Sequence, residues 1–263
     1  MKSKINGFRP LLLCSLMLTA FTAAQASPAH TPGYFEAIAA GSVSQVNAGN
    51  GHLAVTSSET DKLVQTNNNS LNSWGGQLGL GYVYFISKAK RYSNHVQWFP
   101  VIEPELNVYY NDYQNKGDVY RFGSAAFNEL TYNMPIHSTR VMLDAALTVA
   151  SYKRFSTYLI AGIGDSWNRV GYSDKDNSGD MCDTQNVHLN THTSSNFVWE
   201  AGVGVAYAFN NHAKLSFQYL YTDFGTLKTS GSGTSGTITN PTLSPASFNL
   251  HTQALLLGLH LSV

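Results

Sequence analysis

The stretch Leu255-Leu256-Leu257-Gly258-Leu259-His260-Leu261-Ser262-Val263 carries a leucine or valine at every second position. Successive side chains of a β-strand point to opposite faces, so a period of two predicts a strand with one continuous apolar face. Such a face needs an apolar environment. The rest of the chain must therefore show what that environment is.

The beginning of the chain predicts export. A positively charged segment is followed by an apolar run over residues 11–21 and by small residues at Ala24 and Ala26. This is the pattern of a secretory signal peptide, and we place cleavage before Ser27. We therefore expect a signal peptide at 1–26 and a single mature domain at 27–263. Leu13-Cys14 is a weaker alternative, a lipoprotein cleavage site, because Leu13 is large for the position before a lipidated cysteine.

Charge and cysteine content exclude several classes of protein. The chain has 16 Lys and Arg and 16 Asp and Glu, and residues 1–26 hold three of the basic residues and none of the acids. The mature chain then has 13 basic against 16 acidic residues, which gives no basic excess for nucleic acid. Only Cys182 remains after residue 26, so no intramolecular disulfide is expected. No later apolar run reaches the roughly 18 residues of a membrane-spanning helix.

The mature chain alternates between patterned and polar segments. The patterned ones are rich in Gly, Tyr, Phe, Val and Leu without helical spacing, which predicts β-strands. We predict eight strands, at about 34–46, 73–86, 96–112, 128–149, 155–171, 196–209, 213–227 and 247–263. Four connections are long and polar, at 48–72, 113–127, 172–195 and 228–246. The others are short, and this alternation is typical of an up-and-down barrel with short periplasmic turns.

The two faces of the predicted strands favour a membrane barrel over a soluble β-sandwich. One face carries bulky apolar side chains such as Leu215, Phe217 and Tyr219. The opposite face is largely Gly and Ala with isolated charges, which suits the narrow lumen of a small barrel better than a water-facing surface. We therefore predict an all-β, eight-stranded antiparallel up-and-down transmembrane β-barrel in the outer membrane of a Gram-negative bacterium.

Charged residues within the predicted strands should face the lumen. They are Glu36, Glu103, Glu105, Arg140, Asp144 and Glu200. A basic side chain facing lipid at the bilayer midplane costs roughly 2–4 kcal/mol, whereas charges inside the barrel can pair. We expect a network around Arg140 that fills the lumen; a gate or an ion path is the alternative.

Aromatic residues fall near both predicted ends of the strands. They are Tyr109, Tyr110 and Tyr113 at one end and Tyr152, Phe155 and Tyr158 at the other. Girdles of this kind lie at the two membrane interfaces of such barrels, and these residues are candidates for them; ordinary β-sheet formers are the alternative interpretation.

These features together resemble a known group, the small outer-membrane β-barrel superfamily, which includes the transmembrane domain of outer-membrane protein A and the opacity-type surface proteins. The resemblance rests on the signal, the eight strands, the terminal stripe and the steps Gly79–Gly81, Gly162–Gly164 and Gly202–Gly204. It implies outer-membrane lipid and lipopolysaccharide as surroundings and the barrel-assembly machinery as a partner. Members usually finish in an aromatic residue, whereas this sequence finishes in Val263. We expect Val263→Phe to leave assembly unchanged or improve it.

Two metal sites are weak candidates. Asp174, Asp176, Ser178 and Asp180 supply oxygens at alternate positions, as a calcium loop does, but Gln185 stands where a bidentate Glu should close the site. A solvated acidic loop is the simpler interpretation. Cys182, His188 and His192 offer three zinc ligands, although the i, i+4 spacing of the histidines helps on a helix and this segment has the composition of a loop.

A catalytic site is also weakly indicated. Some eight-stranded outer-membrane barrels are lipid A deacylases with a His-x-Ser pair and an acid on the outer face. Here His137-Ser138-Thr139 has Thr where that resemblance requires Ser, and the sequence shows no clear acid partner.

We therefore expect a non-enzymatic surface protein without a cofactor, structural or adhesin-like. Its four long loops would contact a host or another extracellular ligand. A lipid-modifying enzyme and a narrow channel are the alternatives.

Overall fold

Long antiparallel strands form a closed ring in the computed structural model of the chain. The structure describes residues 33–55, 59–66, 71–86, 93–176, 186–236 and 243–263. The strands are β1 Gly33–Ala48, β2 Gly51–Ala54, β3 Thr60–Gln65, β4 Leu71–Phe85, β5 Gln97–Trp98, β6 Val101–Tyr120, β7 Asn128–Tyr152, β8 Phe155–Asp176, β9 Val187–Ala208, β10 Ala213–Lys228, β11 Gly233–Ser235 and β12 Ser247–Ser262. Neighbouring ring strands follow the order β1, β4, β6, β7, β8, β9, β10 and β12. The predicted eight-stranded antiparallel barrel is confirmed.

The terminal stripe closes the ring. β12 pairs with β1 without a break from Glu36 opposite Ser262 to Ala48 opposite Leu250. Its leucines at alternate positions point out of the barrel, and Leu257 is 57% exposed. The strand that begins at Gly33 thus meets the last strand, as the sequence pattern predicts.

Most strands of the ring have two zones, which are clearest in β7. We call the end of the barrel that holds Gly33 and Ser262 the lower end. In the lower zone of β7 the outward side chains are apolar (Val141, Leu143, Leu147) and the inward ones include Ser138, Arg140 and Asp144. In the upper zone the order reverses: Leu130, Tyr132, Met134 and Ile136 point inward, while Glu129, Thr131 and His137 point outward. The outer surface of the barrel therefore changes partway along its length, from apolar side chains that suit lipid to polar side chains that suit water.

The outward apolar side chains of the lower zone form a belt around the barrel. Its exposed members include Leu78, Leu80, Leu106, Val108, Leu143, Leu159, Ile163, Val203, Val205 and Leu259. A membrane-spanning β-strand needs only about 9–11 residues. Because β7 has 25 residues, the wall extends well beyond the belt at its upper end.

The loops are shorter than the sequence predicts, because much of each predicted loop segment is β-strand. Residues 113–120 belong to β6, 172–176 to β8 and 187–195 to β9, and 48–72 and 228–246 contain β2, β3 and β11. The reversed pattern explains the error, since outward polar residues in the upper zone resemble loop composition. Residues 177–185 and 237–242 lie outside the described residues, as does the predicted signal peptide.

The upper zone has an apolar interior that the sequence interpretation missed. Tyr113, Phe224, Met134, Ile136 and Leu250 are buried there in one cluster. The proposed aromatic girdle is therefore partly wrong: Tyr109 and Tyr113 point into the barrel, and only Tyr110 of that group points outward. Within the described part of the chain, no helix has the length and apolarity needed to cross a membrane.

Candidate functional site

Arg140 lies at the centre of a buried polar cluster in the barrel. Its guanidinium Nη2 is 3.1 Å from Glu200 Oε2, and its Cζ lies 3.9 Å from the centre of the Tyr109 ring. The Tyr109 hydroxyl donates to Glu200 Oε1 at 3.0 Å and contacts Asp144 Oδ2 at 3.3 Å. We call Arg140, Glu200, Tyr109, Asp144 and Asn107 the Arg140 cluster. Since β6, β7 and β9 supply its members, it ties separate parts of the wall together.

A second cluster lies nearer the lower end, around Lys214. Its ammonium Nζ is 2.7 Å from Glu36 Oε2 and 2.8 Å from Glu103 Oε2. The buried ring of His260 places Nδ1 3.4 Å from Glu36 Oε2 and Nε2 2.9 Å from Ser216 Oγ. We call Lys214, Glu36, Glu103, His260 and Ser216 the Lys214 cluster.

The structure thus places five of the six charged residues singled out from the sequence in two clusters, rather than around Arg140 alone. The sixth, Glu105, joins the Arg140 cluster through Asn107 Nδ2, which donates to Glu105 Oε2 at 2.9 Å and to Asp144 Oδ2 at 2.7 Å. Lys214 and His260 were missed. Lys214 shares its strand face with Ser216, and His260 shares its face with Gly258, so the alternation of faces was the signal that could have found them.

Glycines on neighbouring strands leave room for the polar side chains. A Cβ atom added at Gly162 would lie 1.7 Å from Asp144 Oδ1, and one added at Gly79 would lie 1.8 Å from Asn107 Oδ1. At Gly81 it would lie 2.6 Å from Glu103 Oε1. The Gly-x-Gly steps of the sequence therefore have a steric role in the lumen.

Glu36, His260 and Ser216 are aligned like an acid–histidine–serine relay, but the arrangement lacks access for a substrate. Ser216 is 1% exposed, and its Oγ lies 3.4 Å from the carbonyl oxygen of Gly258. The backbone amides of β10 and β12 pair with each other across this region. Since a hydrolase needs a reachable nucleophile and donors for the oxyanion, this relay does not meet the requirements of a hydrolase site.

The candidate triplet His137-Ser138-Thr139 faces two ways. His137 and Thr139 point outward, whereas Ser138 is buried. The structure does supply an acid that the sequence did not reveal: Asp112 Oδ1 lies 3.4 Å from His137 Nδ1. The serine cannot act with this pair, because it lies on the other face of the strand.

The two candidate metal sites lie only partly within the described residues. Asp174 points inward, where its carboxylate accepts from Val187 N at 2.6 Å and from the Tyr172 hydroxyl at 2.9 Å. Asp176 ends β8, while Ser178, Asp180 and Cys182 lie outside the described residues. His188 and His192 are exposed on β9, which corrects their assignment to a loop.

Two buried carboxyls in the upper zone have altered acidity. Burial raises the pKa of Asp61 to about 6, against the effect of its hydrogen bond from Phe122 N. Burial likewise raises the pKa of Asp174 to about 6, and the carboxylate of Asp61 acts in the same direction. The protonation of these two groups makes the stability of the upper zone depend on pH.

The connection between β6 and β7 carries two exposed aromatic rings. Phe122 is 55% exposed and Phe127 is 47% exposed, with ring centroids 6.0 Å apart. Phe122 has φ of 53°, which is strained for a bulky residue. Arg121 Nη2 lies 3.0 Å from Glu59 Oε1, and Asp61 Oδ1 accepts from Phe122 N at 3.1 Å, so the turn is anchored to the connection that contains β3. We call Phe122 and Phe127 the aromatic tip.

Comparison with known proteins places the chain among outer-membrane barrels. The family "Outer membrane protein beta-barrel domain" matches residues 12–251. No curated protein matches the sequence.

Three solved structures are similar to the chain at low identity. Neisserial surface protein A has 13% identity, with 89% of this chain and 98% of that chain covered and a TM-score of 0.35. Ail, the attachment invasion locus protein of Yersinia pestis, has 10% identity, 88% and 99% coverage and a TM-score of 0.33. The outer membrane protease OmpT from Escherichia coli has 11% identity, 90% and 99% coverage and a TM-score of 0.29.

Proposed function

Because the chain belongs to the outer membrane protein β-barrel family, we propose that it is a non-enzymatic surface protein that binds an external partner through the aromatic tip. Short turns of such barrels face the periplasm, so the upper zone lies outside the cell. The tip belongs to the connection between β6 and β7 at that end.

The strained, exposed aromatic tip supports this proposal most strongly. A non-glycine residue in the left-handed region costs on the order of 1–3 kcal/mol and persists where the surroundings impose it. Here Arg121, Glu59 and Asp61 hold the turn, yet both aromatic rings remain open to solvent. Aromatic and arginine side chains are also the residue types that dominate binding energy at protein interfaces.

The test is a comparison of adhesion between cells that express the wild type and the Phe122→Ser/Phe127→Ser variant, on plates coated with basement-membrane matrix and on cultured epithelial cells. We expect the double variant to lose at least tenfold in attachment, at equal surface levels. Phe99→Ser is the matched control, since Phe99 also has a positive φ, of 49°, and is 51% exposed, but lies near the lower end. Equal attachment by the wild type and the double variant on both surfaces would contradict the proposal.

A lipid-modifying enzyme is the second candidate, and the Asp112–His137 pair on the outer face is the observation in its favour. It would need Thr139, which shares that face, as the nucleophile. Lipid A profiles of cells with and without the gene decide between the two. Identical profiles support the binding role, and loss of an acyl chain that depends on His137 supports the enzyme.

A further inference from the structure

We propose that the Lys214 cluster is a binding site for a divalent transition-metal cation of the zinc class, entered from the periplasm. A carboxylate oxygen from each of Glu36 and Glu103 and a ring nitrogen of His260 all lie within 4.8 Å of one another. Zinc binds carboxylate oxygen and imidazole nitrogen at about 2.0–2.2 Å. Small side-chain adjustments therefore bring these three atoms into one coordination sphere.

His260 presents a ring nitrogen to Glu36. Its Nε2 lies 2.9 Å from Ser216 Oγ, and its Nδ1 lies 3.4 Å from Glu36 Oε2. Which of these atoms donates depends on the tautomer of the ring. In the tautomer with hydrogen on Nε2, Ser216 accepts and the lone pair of Nδ1 is available to a cation. Metal-binding histidines are typically oriented in this way by a partner on the other ring nitrogen.

The charge balance also favours a cation. Glu36, Glu103 and Glu105 are buried, and the ammonium group of Lys214 contacts two of them, Glu36 and Glu103. Glu103 Oε1 has no hydrogen-bond partner among the described residues, although the side chain is buried. A divalent ion would neutralise more of this charge than the ammonium does.

Lys214 has space to move aside. It lines a cavity of about 100 Å³ at the lower end, together with Glu36, Glu103 and the turn residues Lys153 and Asn210. Displacement of the ammonium into this cavity would expose the three ligands. Three protein ligands and one position open to water are a common zinc arrangement. Lys214 thus competes with the metal for the same carboxylates.

The test is metal binding to the full chain refolded in detergent micelles, with Zn²⁺ in calorimetry and Co²⁺ in visible absorption. We expect one Zn²⁺ per barrel and the intense Co²⁺ absorption of a four-coordinate site. Loss of a ligand in His260→Ala or Glu103→Gln should weaken binding at least tenfold, whereas Lys214→Met should strengthen it at least tenfold. His212→Ala is the matched control, because His212 is exposed on a turn at the same end.

Folding of each variant is checked by its heat-dependent migration on gels, and only folded variants are titrated. The proposal is overturned if neither the wild type nor Lys214→Met binds Zn²⁺, or if folded His260→Ala binds as tightly as the wild type. If the ligand variants do not fold, the wild-type Co²⁺ spectrum decides. A spectrum of purely six-coordinate Co²⁺ then overturns the proposal.

Discussion

Arg140 is a buried charge with several partners on neighbouring strands. It pairs with Glu200, stacks on the Tyr109 ring and donates to Asn111 Oδ1 at 3.0 Å. A buried ion pair adds little net stability, but removal of one partner leaves an uncompensated charge. The stability of the lumen therefore depends on each buried charge keeping its partner.

Arg140→Met should lower the free energy of unfolding by about 3–5 kcal/mol, because Glu200 would remain charged and buried without its partner. Urea unfolding of the refolded barrel measures the loss. Arg140→Met/Glu200→Gln should recover a large part of it, since neither charge remains. Arg169→Gln, on an exposed position of β8, is the control. Equal stability of Arg140→Met and the wild type would show that the cluster contributes no structural constraint.

Gly162→Ala should reduce stability by about 1–3 kcal/mol, because the new Cβ would collide with Asp144 Oδ1 and crowd the Leu143 carbonyl. Gly41→Ala is a matched control, since a Cβ there would meet nothing within 4 Å. Heat-dependent gel migration and urea midpoints report both variants. If the two alanine variants are equally stable, the steric role assigned to the Gly-x-Gly steps is wrong.

Residue patterns predicted many of the side chains that point into the lumen. The cost of a charge in lipid placed Glu103, Glu105 and Arg140 on inward faces, and the alternation of side chains agrees for Glu103 and Glu105. The division into two clusters did not follow from sequence, because it depends on which strands are neighbours at the same height. The pairing of Lys214 with Glu103 spans 111 residues of chain.

At the scale of elements, most strands of the ring reverse their polarity pattern between the two zones. The lower zone of β7 has apolar residues outside, and its upper zone has them inside. Side chains alternate with a period of two in both zones. The period alone does not show which face of a strand meets lipid and which face meets water. This reversal is why residues 113–120 and 187–195 resembled loops in the sequence.

The upper zone should become less stable as pH rises from about 4 to about 6. The folded pKa values of Asp61 and Asp174 are about 6, above the ordinary 3.8, so the folded state holds more protons within this window. The free energy of unfolding therefore falls as these protons are lost and levels off above about pH 6. Thermal denaturation followed by circular dichroism at pH 4 to 7 measures the slope.

Asp61→Asn/Asp174→Asn should flatten this dependence, because an amide does not titrate. Asp118→Asn, an aspartate on the outward face of β6, is the comparison variant and should keep the wild-type slope. A slope of opposite sign in the wild type would mean that these carboxyls are charged in the folded protein throughout the window.

For the whole molecule, the lumen is filled rather than open. The Lys214 and Arg140 clusters occupy the lower zone, and an apolar core that includes Tyr113 and Phe224 lies above them. An eight-stranded barrel has an interior just wide enough for side chains to fill. We expect no steady single-channel conductance from the refolded protein in planar lipid bilayers. Reproducible current steps, absent from heat-denatured samples, would contradict a sealed lumen and favour the narrow channel.

The most direct test of the two-zone barrel is labelling of single cysteines on intact cells with a membrane-impermeant maleimide. The cysteines replace outward residues of β7 in a Cys182→Ser background: Thr131 and His137 in the upper zone, Leu143 and Leu147 in the belt. We predict that the two upper positions react and the two belt positions do not, at equal surface levels. Reaction at Leu143 as fast as at Thr131, or no reaction at Thr131, would contradict the account.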